Sequence, residues 1–214
     1  RERSRRMEDI LREVEELKAS GRKEVVLLGQ NVNAYGKDLK MEDGFTQLLV
    51  AVAKTGIERI SFYTSHPRDY SETTIDAMRD YPNIMPFLHL PVQSGSDEVL
   101  RRMARGYTVE RYKQLYDDLK KKVPHIAFTT DLIVGFPNET DEEFEATLDL
   151  VRYCRFDMAY AFIYSPRAGT PAANMEDNIP LEVKKERLAR LNELLTEIAE
   201  ENNRHFLGET VSVL

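Results

Sequence analysis

The sequence predicts an α/β fold with a parallel sheet and helices packed outside it. Short apolar runs alternate five times with amphipathic segments at roughly 30-residue spacing, which is typical of repeated βαβ units. The composition is that of a globular protein, with 42% hydrophobic and 31% charged residues among 214. By the soft prior of chain length, this is one domain with a short appendage. The pattern leaves open a barrel, an incomplete barrel and a doubly wound sheet.

Five runs rich in β-branched and aromatic residues predict the strands. They cover residues 24–28, 58–63, 86–90, 126–134 and 156–163. The first, from Glu24 to Leu28, has the continuous apolar character of a strand buried on both faces.

Helical spacing of apolar residues predicts the intervening helices. They cover residues 7–20, 46–54, 72–80, 97–104, 108–122, 140–153 and 181–204. Ser71 is placed to cap one of them, and Thr140 with Glu143 has the spacing of a capping box. Leu188, Leu191, Leu195 and Ile198 form the expected buried stripe of the last helix.

Each predicted strand runs into a polar loop that contains Gly or Pro. Because the carboxyl ends of parallel strands share one side of a sheet, these loops are expected to converge. They are rich in amides, hydroxyls and Arg, and they lack the residue sets of a metal site or a Ser-His-Asp triad. No Lys lies within a strand, which argues against an aldolase-type Schiff base. The loops therefore predict a site for a polar cofactor that itself supplies the reactive centre.

Charge and cysteine content narrow the function classes. The formal net charge of −7 does not favour non-specific binding to a polyanion, so a nucleic-acid contact would be local, for example at the basic residues 1–6. No apolar run is long enough to span a bilayer, and we expect a cytoplasmic protein. Cys154 is the single cysteine and is expected to be a buried structural thiol.

Six motifs resemble a known family, the radical S-adenosylmethionine methylthiotransferases. They are Gly29-Gln-Asn-Val-Asn-Ala-Tyr-Gly36, Ser65-His-Pro-Arg-Asp69, Leu88-His-Leu-Pro-Val-Gln-Ser-Gly-Ser-Asp97, Arg105-Gly-Tyr-Thr108, Thr130-Asp-Leu-Ile-Val-Gly-Phe-Pro137 and Ser165-Pro-Arg-Ala-Gly-Thr-Pro171. The resemblance covers essentially the whole chain. It is strongest to members that modify C2 of N6-isopentenyladenosine next to the anticodon of tRNA.

The resemblance implies a partial TIM-type (β/α) barrel that lacks its first strand, over residues 1–205. Residues 206–214 would begin a C-terminal RNA-binding β-domain of the TRAM type, with a strand starting at Val211. The implied cofactors are S-adenosylmethionine and two [4Fe-4S] clusters, one of which cleaves it to a 5′-deoxyadenosyl radical. The family's cluster cysteines are absent from this chain, so the resemblance implies an active longer parent enzyme and an inactive fragment.

The resemblance also implies roles for individual residues, and no residue of this chain is assigned as catalytic. The methionine end of the cofactor would meet Gln30 and its neighbours, and its carboxylate would meet Arg167 or Arg68. The full cofactor-binding set is Gln30, Asn31, Asn33, Ser65, His66, Arg68, Gln93, Ser94, Thr130, Asp131, Gly135, Phe136, Tyr164 and Arg167. Tyr35, Arg105 and Tyr107 would contact the anticodon stem-loop of tRNA by stacking and phosphate pairing.

Other readings remain open at this point. The siblings that act on threonylcarbamoyl-adenosine in tRNA or on a ribosomal protein share the Gly-Phe-Pro and Gln-Ser segments, but usually differ at 29–33 and 65–68. A non-catalytic barrel scaffold is the alternative from another class, whereas a barrel hydrolase or aldolase would require residues that the loops lack. A sheet edge exposed by a missing strand would favour a homodimer.

Overall fold

A computed structural model describes residues 3–63 and 65–210. The expected strand at Val211 lies outside these residues, as do the first two residues of the basic segment. The chain divides into two compact units. One comprises residues 1–91 and 114–127, and the other comprises residues 92–113 and 128–214.

In the first unit, helices and strands alternate as predicted. Its elements are α1 (Met7–Ala19), β1 (Glu24–Leu27), a 3-10 helix (Val32–Ala34), α2 (Gly44–Lys54), β2 (Arg59–Phe62), a second 3-10 helix (Pro67–Asp69), α3 (Glu72–Asp80) and β3 (Phe87–His89). Strands β1 and β2 are parallel, with Val25 opposite Ile60 and Leu27 opposite Phe62. The C-terminal ends of these two strands therefore lie side by side.

The second unit repeats this alternation. Its elements are α4 (Asp97–Arg102), β4 (Ala127–Val134, from its second residue), α6 (Asp141–Cys154), β5 (Met158–Ile163), a 3-10 helix (Pro171–Asn174), α7 (Leu181–Asn203) and a last 3-10 helix (Arg204–Phe206). Helix α5 (Val109–Lys122) begins in this unit and ends in the first. Strands β4 and β5 are parallel, with Thr130 opposite Ala159 and Val134 opposite Ile163.

Two sequence expectations about burial were wrong. Strand β1 is not buried on both faces, since Val26 is 44% exposed, and Leu28, directly after the strand, is 71% exposed. The reason is that β1 pairs only with β2 among the described strands, so part of its surface remains open.

The buried stripe of α7 also differs from the prediction. Leu191 and Ile198 are buried, but Leu188 and Leu195 are only half-buried, and Lys184 and Arg187 are buried instead. These two cations have carboxylate partners, which a count of apolar spacing does not anticipate.

The local predictions at helix starts are confirmed. The Ser71 hydroxyl accepts a hydrogen bond from the Thr74 amide at the start of α3. Thr140 and Glu143 form a reciprocal capping box at the start of α6. Cys154, at the end of α6, is fully buried, as expected. Among the described residues, no helix has the length and apolar character needed to cross a membrane.

Candidate functional site

In the first unit, the loops that follow β1 and β2 meet at the side chain of Asp69. The Asn31 side-chain nitrogen, after β1, donates to the Asp69 carboxylate, after β2, at 2.7 Å. The adjacent strand ends of the parallel pair bring these loops together, so their predicted convergence holds within this unit.

Asp69 is the residue of this site that the sequence reasoning missed. Its side chain is 7% exposed, and it also accepts from Lys37 Nζ at 2.7 Å and from the Arg68 guanidinium at 3.2 and 3.3 Å. Burial opposes its ionisation, but the hydrogen bonds from Arg68, Lys37 and Asn31 outweigh burial and hold the pKa of the carboxyl well below its usual range. The signal in the sequence was an acidic residue inside an otherwise neutral or basic strand-end motif.

Three polar side chains of the predicted set in this unit have buried atoms without a hydrogen bond. Among the described residues, Asn31 Oδ1, both side-chain polar atoms of Asn33 and Ser65 Oγ have no hydrogen-bond partner. Asn33 and Ser65 are 7% and 5% exposed. Buried polar atoms are nearly always satisfied in proteins, so these orphans are positions where a ligand or an ordered water completes the hydrogen bonds.

A cavity of about 720 Å³ adjoins the loop after β1. Gln30, Asn31 and Tyr35 are among its lining residues, together with apolar residues of α1 and β1. Its size falls within the range of small-molecule sites, about 300–1,000 Å³. Its lining also includes charged residues such as Arg5 and Asp38, and a mixture of apolar and polar walls suits an amphiphilic ligand.

The remaining predicted residues of this unit have identified contacts. His66 Nδ1 accepts a hydrogen bond from the Arg68 amide. The Arg68 guanidinium forms an ion pair with the Asp69 carboxylate. Tyr35, predicted to contact tRNA, donates its hydroxyl to the Arg5 carbonyl at 2.8 Å, and burial raises the pKa of its phenol.

In the second unit, Gln93 is held against β4 by its backbone. Its N–H donates to the Asp131 carbonyl and its carbonyl accepts from the Ile133 amide, both at 2.9 Å, and its φ of 74° is left-handed. Thr130 and Ser94, predicted to meet the ribose, are fully buried. The Thr130 hydroxyl accepts from the Val92 amide, so in this structure it supports the loop that carries Gln93.

The loop after β4 is built around a buried carboxylate. Gly135 has a φ of 68°, and its N–H donates to Glu139 Oε2 at 2.8 Å. Phe136 is buried and packs edge-on against Tyr164, with ring centroids 5.0 Å apart. The Tyr164 hydroxyl is buried without a hydrogen-bond partner among the described residues, so it too is available to a ligand.

The three remaining predicted residues of this unit are an exposed arginine and a half-buried arginine–tyrosine pair. Arg167, predicted to hold the carboxylate of the cofactor, is exposed. Arg105 and Tyr107 are half-buried and in contact, and the Tyr107 hydroxyl donates to the Val92 carbonyl at 2.9 Å. Burial raises the pKa of the Tyr107 phenol, so it remains a neutral donor.

Comparison with known proteins assigns the family. Residues 1–151 match the radical SAM superfamily. The chain belongs to the radical SAM superfamily. The Escherichia coli coproporphyrinogen III oxidase superimposes on 90% of this radical SAM chain with a TM-score of 0.65 at 19% identity, covering 45% of that protein. The radical S-adenosylmethionine methyltransferase TsrM from Kitasatospora setae superimposes on 79% of this chain, and the match covers 33% of TsrM. The TM-score is 0.63 at 17% identity. These likenesses show the α/β fold of the superfamily.

Relatives of higher identity carry one name. The chain is 55% identical to the tRNA-2-methylthio-N(6)-dimethylallyladenosine synthase of Geobacillus kaustophilus (strain HTA426), over 100% of this chain and 40% of that protein. It is 54% identical to the synthase of the same name from Bacillus subtilis (strain 168), over 100% of this chain and 42% of that protein. The chain thus spans about two fifths of the length of these curated relatives.

Membership of the radical SAM superfamily implies S-adenosylmethionine and a [4Fe-4S] cluster, and the residues present fit only the first. The orphaned amides of Asn31 and Asn33 and the hydroxyl of Ser65 suit the polar end of S-adenosylmethionine. The cluster requires several thiolates. This chain has one cysteine, Cys154, which is buried. Its described residues also contain no group of three or more His, Cys, Asp or Glu side chains arranged for a metal.

Proposed function

We propose that this chain is part of an enzyme that replaces the C2 hydrogen of N6-dimethylallyladenosine in tRNA with a methylthio group. The observation that carries the proposal is 55% identity along the entire chain to a synthase named for that product. We further propose that the modified base lies next to the anticodon and that the enzyme binds the anticodon stem-loop of the tRNA. The enzyme is proposed to act in the cytoplasm.

In this proposal the chain contributes cofactor binding rather than the reactive centre. The residues of the predicted cofactor set bind and orient S-adenosylmethionine, and the unsatisfied Asn31, Asn33 and Ser65 support that role in the first unit. Two [4Fe-4S] clusters are held by thiolates outside these 214 residues. The 214-residue chain alone is expected to be inactive, because Cys154 cannot hold a cluster.

The activity is tested in a bacterial strain whose own tRNA methylthiotransferase gene has been deleted. Expression of the full-length protein is expected to convert N6-dimethylallyladenosine in digested tRNA to its 2-methylthio derivative, as measured by mass spectrometry. Cys154→Ala is the matched control and should retain activity, because a buried structural thiol is dispensable for chemistry. Methylthiolation of threonylcarbamoyladenosine or of a ribosomal protein instead would assign the chain to a sibling, and no modification would refute the proposal.

Gln30 provides a direct test of the cofactor site. Gln30→Ala removes an exposed amide from the cavity wall and is expected to weaken S-adenosylmethionine binding by the full-length enzyme about tenfold, the loss of one hydrogen bond to a charged ligand group. The affinity is measured by isothermal titration calorimetry. Gln47→Ala, the same change on the exposed side of α2, should leave it unchanged. Equal affinities for the Gln30→Ala variant and the wild type would remove Gln30 from the site.

A further inference from the structure

Asp69 has no assigned role, yet its contact with Asn31 constrains the neighbouring site. An ionised carboxylate has only acceptor atoms, whereas a side-chain amide has a donor end and an acceptor end. At 2.7 Å from Asp69, Asn31 must present its NH2 group, because the reverse orientation would set two oxygen atoms against each other. The carboxylate therefore decides which way the amide points.

The ionised state that this argument needs is secured by the surroundings of Asp69. Lys37 and Arg68 both donate to the carboxylate in addition to Asn31. Their combined effect, set against burial, keeps the pKa of Asp69 below its usual range, so the carboxylate stays ionised throughout the neutral range.

The other end of the amide is left for a ligand. Asn31 Oδ1 is buried and has no hydrogen-bond partner within the described chain, and Asn31 lies in the wall of the cavity. An unsatisfied buried acceptor carries a desolvation cost that a donor on the ligand removes. A ligand ammonium or N–H group satisfies Oδ1, whereas a carboxylate or phosphate oxygen is repelled.

We propose that Asp69 is a positioning residue that locks the Asn31 amide so that its oxygen stays an unsatisfied acceptor beside the cavity, and that this acceptor selects a ligand amino group at that point. This inference rests on the proposed function in one respect, which is that the amino group belongs to S-adenosylmethionine. Asp69 itself does not touch the ligand.

The test uses three variants of the full-length enzyme. Asp69→Asn removes the lock, because an amide at 69 accepts either orientation of Asn31, and it is expected to weaken S-adenosylmethionine binding about tenfold, which is one lost hydrogen bond to a charged group. Asn31→Asp is expected to weaken binding as well, because two carboxylates then face each other. The double variant Asn31→Asp with Asp69→Asn exchanges the two groups, restores a free acceptor oxygen at position 31 and is expected to recover most of the affinity.

A second ligand and a second site separate positioning from general damage. The S-adenosylhomocysteine analogue that lacks the α-amino group is expected to bind the wild type and Asp69→Asn equally. Asp80→Asn is the matched control, since Arg79 and Asp80 form the same adjacent Arg–Asp pair on the exposed surface of this unit without an amide.

The outcomes are distinct. Absence of S-adenosylmethionine binding in the wild type would refute the proposed function, whereas normal wild-type binding with unchanged affinity in Asp69→Asn would overturn the role of Asp69 alone. A folded double variant that fails to recover affinity, or an equal loss for the deaminated analogue, would likewise overturn it. Thermal unfolding of each variant establishes that it is folded.

Discussion

Replacing Arg187 with Met is expected to lower the free energy of unfolding by about 3–5 kcal/mol at neutral pH. Arg187 is 6% exposed in its side chain and donates to Glu139 Oε2 at 2.8 Å, and the Glu139 side chain is fully buried. Removal of the guanidinium leaves a buried carboxylate without its counter-ion, which is far more costly than the loss of a surface pair. Because Glu139 Oε2 also accepts from the Gly135 amide, the loop after β4 is expected to loosen in the same variant.

The loss of unfolding free energy in Arg187→Met should increase as the pH rises. Burial raises the pKa of the Glu139 carboxyl, and the Gly135 amide and Arg187 offset that effect only in part. A carboxyl with a raised folded-state pKa binds its proton more tightly in the folded protein, so stability falls as pH rises from the ordinary Glu value of about 4.3 toward the folded value. Without Arg187 the folded-state pKa rises further. The difference in unfolding free energy between the wild type and Arg187→Met should therefore be smallest below about pH 4 and should grow toward neutral pH.

Urea unfolding of the purified protein at several pH values measures this difference. Arg190→Met is the matched control, because Arg190 lies on the same helix, contacts the same Phe144 ring and pairs with Glu145 on the surface. Its exposed pair is expected to contribute less than about 1 kcal/mol. A loss in Arg187→Met as small as that of the control, or one that does not change with pH, would show that the buried pair does not act as described.

Gly95→Ala is expected to destabilise the second unit by about 3 kcal/mol, at the upper end of the usual cost of overpacking. A Cβ at Gly95 would lie 2.5 Å from Thr147 Cα and 2.7 Å from the Ala146 carbonyl carbon, both in the backbone of α6. Backbone atoms cannot rotate away as a side chain can. The Gly95 amide also donates to Thr147 Oγ1 at 3.0 Å, so a shift that relieves the clash breaks this bond.

Gly29→Ala is the control for that substitution, again by urea unfolding. An added Cβ there would be no closer than 3.6 Å to Val32, which is ordinary van der Waals contact. It should change the stability by less than about 0.5 kcal/mol, as most unstrained surface changes do. Equal stability of Gly95→Ala and Gly29→Ala would mean that the loop at Gly95 can move away from α6 without cost.

Local sequence was enough for the elements whose causes are local. The alternation of strands and helices, the cap of α3 at Ser71 and the capping box of α6 at Thr140 follow from interactions within a few residues. The burial of β1 could not be predicted in the same way, because the number of neighbouring strands decides it and the sequence of the strand does not encode that number.

For the candidate site as well, local sequence predicted one part and the tertiary structure decided the rest. The sequence located the polar strand ends, and the family resemblance placed Asn31, Asn33 and Ser65 in the cofactor-binding set. It did not distinguish them from Thr130 and Ser94, whose hydroxyls lie in fully buried positions in the second unit. Whether a hydroxyl is used by the backbone or left for a ligand depends on partners distant in the chain.

By itself, the sequence determined the α/β alternation, the helix caps and the radical SAM motifs, since each depends on spacing along one stretch of chain. Only the tertiary structure decided that Asp69 fixes the direction of the Asn31 amide and that Arg187 neutralises Glu139. The physical reason is that hydrogen-bond direction and charge compensation are properties of pairs. The members of these pairs lie 38 and 48 residues apart, and folding alone brings them within 3 Å.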